Sequence, residues 1–309
     1  MSGQRKLDWS NQQLSSLPES IAQLTDLEDL VLDKNQLRAL PASIGRLANL
    51  TTLSLYSNQL ASLPDSLWRL TNLLTLNLAE NHFSTLPEGV GHLTNLRMLD
   101  LGHNELAALP ESIGNLRRLT FLYLSNNRLT SLPASMKNLE NLIYLNITVN
   151  QLTDLPEWIG NLTCLIELRL YNNKLSFLPA SLGQLKNLKE LHVRNNQLAS
   201  LPDTIGNLAN LRKLILQDNP LSALPESIGN LTHLTDLDLR NNQLTALPDS
   251  LGNLRNLRYL DLRANRLVDL PASLGGLTNL EKLDLRWNKL SALPEWLLRL
   301  ERQGCTVFV

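Results

Sequence analysis

The chain has 309 residues and a formal net charge of −1; 43% of its residues are hydrophobic and 5% are aromatic. This near-neutral balance excludes the strong basic field that proteins use to bind nucleic acid or an anionic membrane. No run of 18 apolar residues occurs and the first residues form no signal sequence, so we expect a cytoplasmic protein without membrane contact. Cys164 and Cys305 are too few for a disulfide framework and are predicted to be reduced.

A proline recurs every 23 residues, thirteen times from Pro18 to Pro294, and only Pro220 lies outside this series. A strict period of this length predicts stacked repeats, each packed on its neighbours. The pattern of one unit is L-x-x-L-x-L-x-x-N-x-L-x-x-L-P-x-x-I-G-x-L-x-x. We therefore expect a single elongated domain over residues 1–309, with about 13 units, rather than two globular domains.

Each part of the unit has a predicted structural role. The x-L-x-L-x stretch alternates apolar and polar residues, which indicates a short strand with one buried face. The asparagine, present in twelve units from Asn35 to Asn288, is expected to bond backbone groups where the chain turns. Proline fixes φ where the chain starts back. Nine units carry glycine near the end, but Trp68 and Lys137 replace it elsewhere, so close packing or a tight turn explains it better than a positive φ.

These motifs resemble the leucine-rich repeat, and the L-P-x-x-I-G-x-L half is similar to its 23-residue subclass. That subclass occurs in plant intracellular Ras-group-related proteins, in Scribble-type scaffolds, and in bacterial effector and Roco proteins. The resemblance covers roughly residues 5 to 302. It implies an α/β-type solenoid, a horseshoe with a curved parallel β-sheet on the concave face and short 3-10 or irregular segments on the convex face. It implies much less about function, because members share a frame and differ in partner.

Both ends of the array carry sequences that differ from the repeat. Residues 1–26 are predicted to form an N-terminal capping repeat, in which Trp9 covers the terminal core. Residues 303–309 are predicted to form a C-terminal capping strand with Cys305, Val307 and Val309 facing inward. The strict repeat register would instead turn Thr306 and Phe308 inward. We expect a complete protein or a bounded domain.

Side chains at positions 3, 5, 7 and 8 of each unit, counted from its first leucine, are predicted to point out of the concave sheet. All five tyrosines lie at these positions. Aromatic residues favour strands and stack across them, so a structural role is one interpretation. The other is that rigid, exposed aromatic side chains anchor a partner. The candidate partner-binding residues are Tyr56, Met98, Phe121, Tyr123, Tyr144, Tyr171, Arg169, Arg194, Arg240, Tyr259, Arg263, Arg286 and Trp287.

Two groups stand out among these candidates. Met98, Phe121 and Tyr144 share position 3 of consecutive units and are predicted to form a row with a spacing of about 4.8 Å. Further along the chain, aspartates at position 5 accompany arginines at position 7. The two columns either neutralise each other or leave the arginines to receive acidic or phosphorylated groups of a partner. The residues are Asp238, Asp261, Asp284, Arg240, Arg263 and Arg286.

One constellation suggests metal chemistry. Glu80 and His103 occupy position 8 of neighbouring units, and His82 and Glu105 occupy position 10. Two histidines and two carboxylates could hold zinc, but exposed turn residues more commonly form solvated pairs, so we predict no metal site and no cofactor. No phosphate-binding loop, nucleophile elbow or other catalytic motif is present.

The sequence therefore predicts a non-enzymatic intracellular module or scaffold, a monomer whose concave face binds a protein or peptide, with a role in signalling. By resemblance, scaffolds acting on small GTPases or phosphatases are one class. A bacterial effector that is delivered into a host cell and engages a host protein is another. The contrasting hypothesis is a structural repeat protein that associates with its own copy.

Overall fold

The computed structural model describes residues 5–309, so the first four residues of the predicted capping repeat 1–26 lie outside the described residues. This part of the chain divides into two compact parts, which we call the first and the second unit; each 23-residue segment is from here on called a repeat. The first unit ends at Gln151, and the second unit covers Leu152–Val309. Each unit is a stack of repeats built from one three-residue strand followed by a short 3-10 segment. That residues 1–309 form a single domain stays a prediction.

The first unit contains seven parallel strands within residues 5–151, each paired with the next one along the chain. They are β1 Lys6–Asp8, β2 Asp29–Val31, β3 Thr52–Ser54, β4 Thr75–Asn77, β5 Met98–Asp100, β6 Phe121–Tyr123 and β7 Tyr144–Asn146. The 3-10 segments of this unit are Glu19–Gln23, Ala42–Arg46, Asp65–Arg69, Glu88–His92, Glu111–Asn115 and Ala134–Asn138.

The second unit also contains seven parallel strands that pair in chain order. They are β8 Glu167–Arg169, β9 Glu190–His192, β10 Lys213–Ile215, β11 Asp236–Asp238, β12 Tyr259–Asp261, β13 Lys282–Asp284 and β14 Thr306–Phe308. Its 3-10 segments are Glu157–Asn161, Ala180–Gln184, Asp203–Asn207, Glu226–Asn230, Asp249–Asn253 and Ala272–Gly276, and its one α-helix is α1, Trp296–Arg302. The predicted parallel-sheet solenoid with short 3-10 segments is confirmed in both units.

Alternation along each strand separates the core from the surface. In β6, Leu122 is fully buried, whereas Phe121 and Tyr123 point to the opposite side of the sheet. Burying one leucine side chain contributes about 1.5–3 kcal/mol, and the buried leucines of each unit form its core. We call the side of each unit's sheet that faces away from the core its strand face; it carries the side chains of positions 3, 5, 7 and 8.

Proline and glycine shape the other side of each unit. Pro41, with φ of −66°, precedes a 3-10 segment, and its carbonyl accepts the N–H of Ile44 at 3.1 Å. Proline suits this place because its φ is already fixed and its missing N–H is not needed. Glycine is required for a different reason. A Cβ on Gly45 would lie 2.4 Å from the carbonyl oxygen of Ser66 in the next repeat, which confirms close packing as its role.

The repeated asparagine ties adjacent repeats together, as predicted. The Nδ2 group of Asn150 donates to the carbonyls of Ile147 and Thr148, and also to that of Leu124 in the preceding repeat at 2.9 Å. Its Oδ1 atom accepts the N–H of Leu129, also at 2.9 Å. One buried side chain therefore satisfies backbone groups that the turning chain would otherwise leave without partners.

The residue before each of these asparagines has a left-handed backbone, which the sequence did not reveal. At His103, for example, φ is 54° and the N–H donates to the carbonyl of Ser125 in the next repeat at 2.7 Å. Asparagine or glycine normally favours this conformation, but position 8 varies widely. Its twelve residues with positive φ are Lys34, Ser57, Glu80, His103, Asn126, Val149, Asn172, Asn195, Asp218, Asn241, Ala264 and Trp287.

A second asparagine series runs along the 3-10 side at position 23, and sequence analysis missed it. The Nδ2 group of Asn95 donates to the carbonyl of Thr71, 24 residues earlier, at 2.8 Å. The same bond recurs at Asn49, Asn72, Asn141, Asn187, Asn210, Asn256 and Asn279. The signal was present as the asparagine that precedes the first leucine of many repeats.

The C-terminal end differs in part from the prediction. Residues 296–302 form the α-helix α1, which was not expected; Leu297 and Leu300 are buried from it. Strand β14 follows, and Cys305 is buried. The prediction that Val309 faces inward is wrong: it is 61% exposed, because it lies beyond the last residue paired with β13.

Replacing Asn150 with Ala should lower the free energy of unfolding by about 1–3 kcal/mol, because several buried backbone groups lose their partner. Urea denaturation followed by circular dichroism measures this change. The control is Asn161→Ala, at an exposed asparagine. An unchanged midpoint for Asn150→Ala would refute the bridging role of the amide.

Replacing Val149 with Asn should raise the free energy of unfolding by about 1 kcal/mol, because a β-branched residue is strained at its φ of 53°. Thermal unfolding of the variant and the parent tests this. Val31→Asn, at an extended strand position, should give no stabilisation. If both variants behave alike, the left-handed backbone at Val149 carries no strain.

Candidate functional site

The predicted aromatic row lies on the strand face of the first unit in one register. Met98 pairs with Phe121 across β5 and β6, and Phe121 pairs with Tyr144 across β6 and β7. Phe121 is 39% exposed, which is unusual for a phenylalanine held on a rigid strand. Tyr123 lies one column away, and its ring centroid is 5.0 Å from that of Tyr144, with the rings tilted by 40°. We call Met98, Phe121, Tyr123 and Tyr144 the aromatic patch.

The contact between Tyr123 and Tyr144 is compatible with both a structural role and a partner-binding role of the patch. Tilted aromatic pairs stabilise a sheet by about 0.5–1.5 kcal/mol beyond the area they bury. Phe121, in contrast, remains 39% exposed to solvent. Asp100, opposite Tyr123 in the register, borders the patch, and burial raises the pKa of its carboxyl group.

Tyr56 lies outside the aromatic patch. Its hydroxyl donates to Oε1 of Glu80 at 2.9 Å, and this bond, together with burial, raises the pKa of the Tyr56 phenol. The side chain follows β3, whereas the patch begins at β5. The structure therefore separates Tyr56 from the other aromatic candidates of the first unit.

On the second unit, Tyr171 and Arg194 form a cation–π pair, with the guanidinium carbon 4.5 Å from the ring centroid. Arg169 is hydrogen bonded to Glu167. Glu190 accepts from Lys213 at 3.1 Å and lies 3.0 Å from Nε2 of His192. The charged side chains on this part of the second unit's strand face are thus tied to one another.

The columns of aspartate and arginine form ion pairs within the strand face of the second unit. Arg263 and Arg286 each approach their own aspartate, Asp261 and Asp284, to 2.6 Å. Arg263 also approaches Asp284, to 3.3 Å. Burial opposes ionisation of Asp284, but its bonds to Arg286 and the nearby Arg263 outweigh burial and lower its pKa.

Asp238 is the exception in this lattice. Arg240 turns toward Gln217, and its Nε remains 3.6 Å from Asp238. Burial is the largest influence on Asp238 and raises the pKa of its carboxyl group. It borders a cavity of about 210 Å³ on the strand face, with Tyr259 as another wall.

The last candidates lie beside the C-terminal strand. Trp287 is 71% exposed, and the guanidinium of Arg286 lies 5.6 Å from its ring and 4.8 Å from the ring of Phe308. Tyr259 is 40% exposed, and its hydroxyl donates to Glu281 at 2.7 Å. Sequence reasoning missed Phe308 because it assigned that side chain either to the core or to no role.

The four residues considered for zinc do not form one cluster; only His82 and Glu105 approach each other, with His82 Nδ1 4.0 Å from Glu105 Oε1. Glu80 accepts from Tyr56, Glu105 accepts from Arg128 at 2.9 Å, and His103 bonds Asn126. A different trio, Glu167, Glu190 and His192, has ligand atoms within 4.8 Å of one another. Its two carboxylates are already paired with Arg169 and Lys213, so we assign no metal to it.

The repeat geometry now identifies the family. The leucine-rich repeat region family matches residues 64–145, 136–216 and 200–288, and a further leucine-rich repeat family matches residues 25–83. The chain belongs to the leucine-rich repeat family. None of the curated proteins matches the chain. Within residues 5–309, none of the helices has the length and apolarity of a membrane span.

Several solved structures are similar. A leucine-rich repeat protein from Leptospira interrogans is 40% identical with a TM-score of 0.90, over 96% of this chain and 76% of that one. A plant peptide hormone receptor, solved in complex with its peptide, is 33% identical with a TM-score of 0.78, over 98% and 55%. An internalin from Listeria monocytogenes is 25% identical with a TM-score of 0.77, over 93% and 88%. Such repeats generally serve as protein-interaction modules.

Replacing Asp284 with Ala should lower the free energy of unfolding by about 2 kcal/mol, because a fully buried carboxylate that serves Arg263 and Arg286 is removed. Asp238→Ala should cost less, since Arg240 keeps its bond to Gln217. Urea denaturation at pH 7 of both variants tests this order, and the reverse order would contradict the pairing described above.

The ion pairs of Asp284 also predict how the stability of the protein depends on pH. Because the pKa of Asp284 is lowered in the folded state, its contribution is complete above the ordinary aspartate value, about 3.9, and is lost as the pH falls below it. The difference in the free energy of unfolding between the parent and Asp284→Ala, measured by urea denaturation, should therefore shrink below about pH 4.

Proposed function

We propose that this protein is a non-enzymatic binding module that takes a protein or an extended peptide on its strand face, with the aromatic patch as the main contact. The observation that carries the proposal is Phe121, an exposed phenylalanine between Met98 and Tyr144 on three paired strands. Aromatic side chains on a rigid surface provide a large contact area and lose little entropy on binding. Asp100 supplies a polar edge to the patch.

The arginines of the second unit have a secondary role in this proposal. Arg263 and Arg286 are engaged by aspartates, so an acidic partner group would first have to compete with those pairs. Trp287 and Tyr259 remain open to contact a partner. Exposed rings of this kind, rather than free positive charge, would then supply the binding energy on that unit.

The cellular setting is part of the proposal. It includes a location inside a cell, because both cysteines are free and Cys305 is buried, and a role as a monomeric signalling module. Burial raises the pKa of the Cys305 thiol to about 11, which keeps it unreactive. The peptide complex of the similar plant receptor supports a peptide as one type of ligand.

A random peptide library displayed on phage, selected on the immobilised protein, provides probes. We expect Phe121→Ser combined with Tyr144→Ser to weaken the selected peptides at least tenfold, about 1.4 kcal/mol, in fluorescence polarisation assays. The matched control is Lys137→Ser with Glu140→Ser, two exposed residues away from the strand face, and it should bind normally.

Other outcomes are equally informative. Normal peptide binding by the Phe121 and Tyr144 double variant would overturn the proposed location. Unfolding of that variant at markedly lower urea concentration would show that the patch is structural. Light scattering addresses self-association: a dimer that the same double variant dissociates would support the structural repeat protein instead.

A further inference from the structure

The glycine pattern on the 3-10 side is broken at Trp68, and the next repeat compensates for this break. Position 19 is glycine in most repeats. This glycine packs on the serine or threonine at position 17 of the next repeat, as Gly45 packs on Ser66. At Trp68 the large side chain is at position 19 instead, and in the next repeat Gly89 is the small residue at position 17. A Cβ on Gly89 would lie 2.4 Å from Cδ1 of Trp68. The exchange of sizes shows that the indole has a defined place between the two repeats.

Trp68 carries an unusual polar group in that place. The residue is 4% exposed, and its Nε1 atom has no hydrogen-bond partner among the described residues. A buried donor without an acceptor destabilises a protein by about 1–3 kcal/mol, so its position requires a reason.

An open cavity of about 820 Å³ lies beside this tryptophan, within the first unit. Its walls include Trp68, Gly91, His92, Arg117 and Arg118 and contain no aspartate or glutamate. Two guanidinium groups and an imidazole therefore face the cavity without a carboxylate among its walls.

One of the two arginines, Arg118, also breaks the repeat pattern. Position 23 is usually the asparagine that bonds a carbonyl 24 residues earlier, but Arg118 occupies it in this repeat. The Nη1 group of Arg118 donates instead to Oδ1 of Asn95 at 2.7 Å, which holds the guanidinium at the cavity wall. Arg117 is exposed and has no ion-pair partner within residues 5–309. Two departures from the consensus, Trp68 and Arg118, thus line one cavity.

We propose that this cavity binds a phosphate-type dianion, either a phosphate monoester on a protein or free phosphate, through Arg117 and Arg118. Adjacent guanidinium groups suit a phosphate because each offers planar, directed donors and a charge that does not titrate. His92 adds a third donor at the rim. The site is independent of the aromatic patch, so either proposal can fail without the other.

The test uses the indole N–H signals of the five tryptophans in a nitrogen-15 nuclear magnetic resonance spectrum. Trp68→Phe identifies the signal of Trp68. Titration with inorganic phosphate, at an ionic strength held constant with sodium chloride, should shift that signal saturably, with a Kd up to the millimolar range. A phosphoserine tripeptide forms the second arm. Tighter binding of the peptide assigns the site to a phosphorylated protein, and tighter binding of phosphate assigns it to the free anion.

The decisive variant is Arg117→Gln with Arg118→Gln, which should raise the Kd at least tenfold. Arg46→Gln with Arg69→Gln removes the same charge from exposed positions on the 3-10 side outside the cavity and should leave the Kd unchanged. Thermal unfolding of the Arg117 and Arg118 variant, with and without phosphate, checks that it is folded. The proposal is overturned if phosphate gives no saturable shift, if sodium chloride alone gives the same shift, or if the control pair weakens binding equally.

Discussion

The asparagine side chain at position 9 is the interaction on which the rest of each unit depends. A repeat of 23 residues must turn its chain sharply, and each turn exposes backbone groups that no strand can satisfy. Asn150 bonds carbonyls of its own repeat and both a carbonyl and an N–H of the preceding one. A left-handed residue precedes each asparagine, and at His103 the N–H of that residue donates to the carbonyl of Ser125 in the next repeat. The ladder therefore fixes the turn and the register together.

A fixed register makes the strand face a lattice in which each side chain has known neighbours. It places Phe121 between Met98 and Tyr144, and it places Asp284 where two arginines reach it. Side chains in one column can either neutralise each other or remain open to solvent. The aspartate and arginine columns take the first course and the aromatic patch takes part of the second, since Phe121 stays exposed. This difference in exposure is why we favour the patch over the arginines as a binding site.

The sequence predicted the features that repeat and missed those that depend on one place. The period revealed the strands, the asparagine bonds and the packing role of glycine, because each recurs with the same residue type. It could not reveal the left-handed position, where Val149 and Trp287 both occur, because the ladder rather than the residue imposes that backbone. Helix α1 was missed for another reason: the buried pair Leu297 and Leu300 lies where a repeat otherwise makes a 3-10 turn. Ion-pair geometry was also out of reach, as the loose contact of Asp238 shows.

Recognition in a repeat protein must come from residues that leave the consensus, because identical repeats present identical surfaces. In the first unit these departures fall into two groups on different sides of the sheet. The aromatic patch uses positions that the frame leaves free, so its residues could vary without loss of packing. The Trp68 cavity uses positions that the frame normally reserves for glycine and asparagine. Trp68 in place of glycine is accompanied by the small residue Gly89 in the next repeat, and its indole N–H is left without a partner. A departure that costs stability and is matched by a neighbour calls for a function more strongly than a departure that costs nothing, which is why the cavity warrants a ligand of its own.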